Sequence, residues 1–323
     1  MERTHTARRI RPGLGVRRLI ASLMQPEAAP EAAPSRPPEP AAAAPPPRPR
    51  DEARLAELLP LLRCPLTGQA LVRHSPAELI TVDGRHRWPI QDGRPCLFPE
   101  LGPPREHGDH LSNPVCPAAQ ELVEATDGLV LNLSAGGTHA WHPRVVEAEA
   151  AIFRNTDVLA DVHRLPFQDG TFSAVLALNA FEHYRDPLRA ASEIARVLAP
   201  GGRVFIRTAF LQPLHEAPWH FYNATRYGVL GWFEGFETER IEVSENFNPV
   251  HTIAWMAAEI ERMVRDHLPP AEAERVLATS LADYARMWLD AGTRGEVWES
   301  FFRVPAEAQE PVAAGFEYLG RRP

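Results

Sequence analysis

Between residues 129 and 208 the apolar positions gather into five short runs with little alternation: Leu129 to Leu133, Val145 to Glu149, Asp157 to Ala160, Phe172 to Leu178 and Arg203 to Thr208. Their Val, Leu and Ile content is that of strands buried on both faces. Between the last two runs lies a helical stretch with its own punctuation. Asp186 is placed to cap it, Pro187 opens it, and Gly201 and Gly202 stand beyond its end. Leu188, Ala191, Ala195 and Leu198 fall at spacings of three and four, which predicts a stripe facing the sheet. Strands alternating with helices predict right-handed crossovers and an α/β fold, a doubly wound and mostly parallel sheet. Such sheets bind ligands beyond the carboxyl ends of their strands.

From about residue 250 the period becomes helical throughout. HTIAWMAAEIERMVRDHL stops at Pro269-Pro270, and AEAERVLATSLADYARMWLDAG continues the amphipathic pattern through Val276, Leu277, Leu281, Tyr284 and Trp288 as far as Gly292. These helices are expected to lie on the central domain or to form a dimer contact. At the other end, Pro and Ala dominate Pro26 to Pro49, so residues 1–52 read as a disordered region. The basic stretch THTARRIRPGLGVRRLIASLM ahead of them reads as a solvated tail. The expected division is 1–52 disordered, 53–103 a small β-rich module, 104–248 the main domain and 249–323 a helical extension.

The run Leu129 to Leu133 breaks directly into Ser134, Ala135, Gly136, Gly137 and Thr138, side chains small enough for backbone to approach a ligand closely. Ser134 to Thr138, Glu149, Asp161 and Asn179 all stand at the ends of predicted strands, so they are expected at one edge of the sheet.

After that loop come Asp161, then Leu165-Pro166-Phe167, then Glu182-His183 at the end of an apolar run, then Arg196 through Gly202. In this order the motifs resemble the class I S-adenosylmethionine-dependent methyltransferases, over roughly residues 125 to 240. The resemblance implies a Rossmann-like fold and S-adenosylmethionine as cofactor. It implies further that Ser134, Ala135, Gly136 and Gly137 pass beneath the cofactor's methionine part, with Asn132 a cofactor-binding position just before that loop. Glu149 would accept from the ribose hydroxyls, with Glu147 on the same face as the competing register. Asp161 would accept from the adenine amino group with the Val162 backbone beside it, and Asn179 completes the edge. The chain departs from the family pattern at Asn132, usually acidic, and at Ser134 and Thr138, usually glycine.

A sulfonium methyl is already electrophilic, so the reaction needs alignment and, for a hydroxyl acceptor, removal of a proton. His183, His215 and His220 are the candidate bases, with Tyr222 beside them, because imidazole titrates near neutrality. The segment from Phe210 to Phe236 is dense in histidine and aromatic residues, which suits a small-molecule or glycan hydroxyl acceptor.

Residues 53–103 resemble the small zinc-ribbon activators of methyltransferases, through Cys64-Pro65, Gly68 and Trp88-Pro89-Ile90 before Asp92-Gly93. Thr67 stands where the first cysteine pair needs its second member, and Cys64, Cys96 and Cys116 are isolated, so neither metal nor disulfides are expected. The net charge of −8, with arginine as the sole strong base, gives no nucleic-acid signal. No stretch of eighteen apolar residues occurs, and a cytoplasmic protein is expected. The GxGxxG of nicotinamide enzymes is absent. The departures at Asn132 and Ser134 keep open a catalytically silent binding protein with the same fold.

Overall fold

The computed structural model describes residues 52–98, 105–108, 110–112, 115–140 and 142–322. The Pro/Ala-rich region expected before residue 52 lies outside the described residues.

The described chain starts with helix α1 (Glu52–Leu58) and continues through β1 (Leu71–Ser75), β2 (Glu78–Thr81), β3 (Arg87–Gln91) and β4 (Arg94–Leu97), each antiparallel to the one before. Sequence reasoning expects two or three strands here. The fourth forms because Asp92 and Gly93 both take left-handed φ, 46° and 75°, as a two-residue hairpin turn requires. That reversal lets β4 run parallel to β7 (Val158–Ala160), pairing Cys96 with Leu159 and Leu97 with Ala160. Strands β1 to β4 therefore continue the main sheet.

After α2 (Pro117–Glu124) come β5 (Val130–Leu133), β6 (Val145–Glu149), β7, β8 (Phe172–Leu178), α3 (Pro187–Val197) and β9 (Leu198–Arg207). The nine strands lie in the order β1-β2-β3-β4-β7-β6-β5-β8-β9, and β4 onward pair in parallel. This is the expected doubly wound, Rossmann-like arrangement, with the topological switch at β5 between β6 and β8. Burial explains why the strands read as unbroken apolar runs. Leu131, Leu133, Val175 and Ala177 face one core with Ala190, Ile194 and Val197 of α3, while Val130, Ala174 and Leu176 face α2 through Ala119, Leu122 and Val123. Leu58, Leu62, Leu79 and Trp88 share the first core. α1 is fixed to the sheet by Arg54, which donates to Asp157 at 3.0 and 2.9 Å and to the Val145 carbonyl at 3.0 Å.

α3 starts as expected, with Asp186 accepting from the Arg189 amide at 3.0 Å and Pro187 in the first turn. Its buried face is a different one. Pro187, Ala190, Ala191, Ile194 and Val197 are covered, whereas Leu188 is 60% exposed and Ala195 is exposed too. The helix also ends before Gly201, because Leu198 is drawn into pairing with Phe172 at the start of β9. Gly201, with φ 77°, falls inside that strand, where the register against β8 shifts.

The motif Leu165-Pro166-Phe167 and Arg196 hold each other. Arg196 donates to the carbonyls of Phe167 and Leu165 at 2.7 and 2.8 Å, and Glu193 accepts from the Leu165 amide at 2.9 Å while pairing with Arg196. The Arg63 amide donates to the Pro166 carbonyl at 2.9 Å, so the same triplet also carries the N-terminal strands.

Beyond residue 225 lie α4 (Arg226–Trp232), α5 (Pro249–His267), α6 (Pro270–Leu277) and α7 (Leu281–Leu289), followed by short turns. Met263, Val264, Leu268, Ala273, Val276 and Val304 form a separate small core. Of the face expected there, Val276 is buried, but Leu281 and Trp288 are exposed. No helix among the described residues is long and apolar enough to cross a membrane.

Candidate functional site

β5 ends at Leu133 and turns into Ser134–Thr138 at the switch point, where neighbouring connections leave to opposite sides. Ser134 takes φ 52° and Gly136 φ 63°. A left-handed backbone costs an L-residue roughly 1–2 kcal/mol, so Ser134 occupies a glycine-like position. Its Oγ accepts a 3.1 Å bond from the Tyr184 hydroxyl. The close approach that the loop's glycines permit is first of all to the chain itself. The Ser112 amide donates to the Gly137 carbonyl at 2.9 Å, the Gly137 amide to Ser112 Oγ at 3.0 Å, and the His139 ring to the Ser112 carbonyl at 2.8 Å. A Cβ on Gly136 would stand 2.2 Å from Ser112 Oγ, and one on Gly137 1.8 Å from the His110 carbonyl oxygen. Neither neighbour is signalled by the sequence.

Under the loop lies a buried polar group of four residues. Asn132 Nδ2 donates to Glu147 at 3.4 Å, Thr138 Oγ1 to the other Glu147 oxygen at 3.3 Å, and Asn155 to the Thr138 carbonyl and hydroxyl at 2.9 and 3.0 Å. Two departures from the family pattern thereby acquire a physical reason. A carboxylate at 132 would face the buried Glu147 carboxylate, and glycine at 138 would remove one of its donors. Glu147 is thus engaged beneath the loop. Glu149, the last residue of β6, reaches the loop itself and accepts from the Gly136 amide. Burial pushes the Glu149 carboxyl up to about 7, and amide bonds from Gly136 and Ala150 offset only part of that.

Asp161 follows β7. Its Oδ1 accepts from the His163 amide at 2.9 Å and from His163 Nδ1 at 2.7 Å, leaving Oδ2 for a further donor. Burial alone would raise the Asp161 carboxyl; the two hydrogen bonds from His163, with the positive charge of Arg164 nearby, outweigh it and hold the group below its ordinary value. Since the carboxylate can only accept, His163 Nδ1 carries a proton, and Nε2 in turn accepts from the Asp186 amide at 3.2 Å. Asp161, His163, Arg164, Arg185, Asp186 and Arg189 line a cavity of about 290 Å³. Val162 is half-buried beside the core. Asn179 is exposed at the end of β8, with φ 54° and its amide bonded to the Arg207 carbonyl at 2.9 Å.

The three candidate histidines come together. His183 lies just past β8, and the loop after β9 folds back so that the ring centroids of His215 and His220 stand 5.1 and 5.8 Å from it and 4.2 Å from each other. What folds the loop is backbone: the Phe221 and Tyr222 amides donate to the Glu182 carbonyl at 2.7 and 3.2 Å. The rings are not equivalent. His183 Nδ1 meets the Trp219 carbonyl at 3.0 Å and His215 Nδ1 the Pro213 carbonyl at 2.9 Å. A carbonyl only accepts, so both Nδ1 atoms are protonated, and in the neutral form of each ring the lone pair is on Nε2. His220 uses both nitrogens on the loop, accepting from the His215 amide at Nδ1 and donating to the Tyr222 carbonyl at Nε2, each at 3.2 Å. Burial, with His215 and His183 alongside, lowers its pKa. Glu182, buried next to His183, accepts from the Thr208 hydroxyl at 3.0 Å. Sequence reasoning passed over it as a motif letter. It also passed over Tyr184, which ties this cluster to the Ser134 loop.

Residues 132–206, along this edge of the sheet, match the family model described as a methyltransferase domain. That span begins in β5 and ends in β9. An uncharacterized chloroplastic methyltransferase of Arabidopsis thaliana is 47% identical over 62 residues, 19% of this chain and 17% of that protein. Demethylmenaquinone methyltransferase of Thermus thermophilus is 47% identical over 47 residues, 15% of this chain and 21% of that one. The matches thus span about a fifth of these relatives or less. Among solved structures, a phosphoethanolamine N-methyltransferase of Haemonchus contortus is 17% identical, with a TM-score of 0.34 over 58% of this chain and 49% of that one.

Proposed function

We propose that the protein is an S-adenosylmethionine-dependent methyltransferase acting on a hydroxyl of a small molecule, glycan or biosynthetic intermediate. The observation that carries this reading is the placement of two carboxylates, Glu149 and Asp161, at the carboxyl ends of neighbouring strands within the matched span 132–206. The residues present fit the cofactor. Glu149 can accept from vicinal ribose hydroxyls, which favours its ionised form, and Asp161 Oδ2 can accept from an amino group over the adjoining cavity. Ser134 through Gly137, Asn132, Val162 and Asn179 complete the assigned binding set. The bound cofactor supplies an electrophilic methyl group. The chain's own part is to orient the acceptor and to take up its proton, for which Nε2 of His183 and of His215 are the lone-pair nitrogens; His220, with both nitrogens engaged, positions His215. Residues 53–103 are assigned the role of an activator-like module in cis, a reading supported by Leu58, Leu62, Leu79, Trp88 and Leu97, which share a core with the central strands.

Isothermal titration tests the cofactor. S-adenosylmethionine or its demethylated product should bind and a dinucleotide should not, and Asp161→Ala should weaken binding by about tenfold to a hundredfold, roughly 1.5–3 kcal/mol, with the fold intact. Binding of a dinucleotide alone, or unchanged affinity in the folded variant, refutes it. The His110–Ser112 crossing of the glycine loop favours one second reading, a catalytically silent binder. Cofactor binding with no methyl transfer to any acceptor hydroxyl would select it.

A further inference from the structure

We infer that Glu182, His183 and His215 form a binding site for a divalent transition cation of the zinc or iron(II) type. A carboxylate oxygen of Glu182 and one ring nitrogen each of His183 and His215 lie within 4.8 Å of one another. Ligands about 2.0–2.2 Å from one ion stand roughly 3.5 Å apart, so a small closure of the loop completes the geometry. Two histidines and one carboxylate with open positions are the ligand set of catalytic zinc and of non-haem iron, and imidazole nitrogens select such ions over magnesium or calcium.

The surroundings supply what a cation site needs and a chance meeting of polar groups lacks. Ligating histidines donate their other N–H to a carbonyl or carboxylate, which fixes the tautomer and turns the ring. In both rings Nδ1 is already held in this way, His183 by the Trp219 carbonyl at 3.0 Å and His215 by the Pro213 carbonyl at 2.9 Å, which leaves Nε2 of each for the ion. The carboxylate is oriented as well, by the Thr208 hydroxyl at 3.0 Å from Oε2. Glu182 is 1% exposed and, among the described residues, no cationic side chain is bonded to it, so a negative charge buried there calls for a positive partner. A cation supplies that partner. His220 stays outside the set because both of its nitrogens are bound by the loop, and its bond to the His215 amide makes it a support for the ligand beside it. No sequence spacing announces this set, since Glu182-His183 and His215 come from different loops.

Three protein ligands leave a position for water or for an acceptor hydroxyl; with the ion bound, the Nε2 lone pairs of His183 and His215 are held by it, and its raising of the hydroxyl's acidity takes the place of proton uptake by the two rings. The site stands on its own geometry, apart from the methyl-transfer reading, and its test does not use turnover. The chelator-treated full-length protein should bind one equivalent of Co²⁺, with visible absorption bands typical of nitrogen and oxygen ligation, and Zn²⁺ should displace it. His183→Ala and His215→Ala should each lower Co²⁺ affinity a hundredfold or more, and His220→Ala by the 10- to 100-fold of an outer partner. His74→Ala, at an exposed histidine in β1, should change nothing. Absence of stoichiometric Co²⁺ binding, or wild-type affinity in the His183 and His215 variants, overturns the site. Should those variants lose their circular dichroism, carbethoxylation of the wild-type chain decides: Zn²⁺ must shield His183 and His215, and equal modification with and without it is also a refutation.

Discussion

The two halves of the candidate site are built by opposite means. On the β5, β6 and β7 side, functional groups sit at strand ends, and the sheet's register alone puts them there: Leu133 pairs with Ala148 and Glu149 with Leu159, so the loop, Glu149 and Asp161 emerge side by side. On the β8 and β9 side no strand end delivers the rings. His215 and His220 lie in a loop that reaches His183 only because the Phe221 and Tyr222 amides bond the Glu182 carbonyl. The first half is fixed by sheet geometry and lies wholly within the matched span 132–206, whereas of the second half Glu182 and His183 lie inside that span and His215 and His220 beyond it. The second depends on a few local hydrogen bonds, and it is where one enzyme of this architecture can differ from another in acceptor.

If the halves are functionally separate, the largest expected effect is one-sided. His215→Ala should lower turnover on an identified acceptor by about 10² to 10⁴ while cofactor affinity stays at the wild-type value. Affinity and turnover falling together would join the halves and break the comparison. Full turnover would remove His215 from the chemistry.

The strand-end half should respond to pH instead. Glu149 is held at about 7 against an ordinary 4.5, because burial penalises its charge. A raised pKa means the folded state keeps a proton that the unfolded state has released. The stabilisation from that proton is fully present below pH 4.5 and is lost as pH rises through 7. At 1.36 kcal/mol per unit this amounts to about 3 kcal/mol. Glu149→Gln should therefore be more stable than wild type at pH 8 by up to that amount in urea denaturation, with no advantage at pH 4. Cofactor affinity should run the other way in the wild type, strengthening from pH 6 to pH 8 as the carboxylate ionises, and that dependence should vanish in the variant. An identical stability profile for the two proteins rejects the buried, proton-retaining Glu149.

How much of this was legible in the sequence follows from the same division. Apolar runs, Asp186 with Pro187, and the small-residue loop announced the central strands, the start of α3 and the switch point, because period and capping are local properties. Leu188 and Ala195 were placed on the wrong face of α3 since small alanines carry little apolar signal, and Ala190 with Ile194 set the true face. The motif letters had reasons the sequence could not express: Arg196 grips the carbonyls around Pro166, and Asn132 sits against Glu147. The crossing of His110–Ser112 over Gly136 and Gly137 was hidden too, as was Glu182's place among the histidines, because both are contacts between distant segments with no periodic signature. The continuation of β1 to β4 into the main sheet was equally unmarked, since it depends on one parallel pairing of β4 with β7.

The smallest expected effect tests a side-chain link between the halves, the bond from the Tyr184 hydroxyl to Ser134 Oγ at 3.1 Å. Ser134→Gly relieves a left-handed backbone worth roughly 1–2 kcal/mol but loosens the unfolded chain by about 0.5–1 kcal/mol and orphans a buried hydroxyl at about 1–3 kcal/mol. These terms nearly cancel, so the single variant should lie within about 1 kcal/mol of wild type or slightly below it. In a Tyr184→Phe background the orphaned hydroxyl no longer exists, and Ser134→Gly should then stabilise by about 0.5–1 kcal/mol. A double-mutant cycle in urea should accordingly return a coupling equal to the orphaned-hydroxyl cost, about 1–3 kcal/mol. Additive effects would mean that the hydroxyl bond does no work, and that the histidine cluster and the glycine loop are joined only through the strands beneath them.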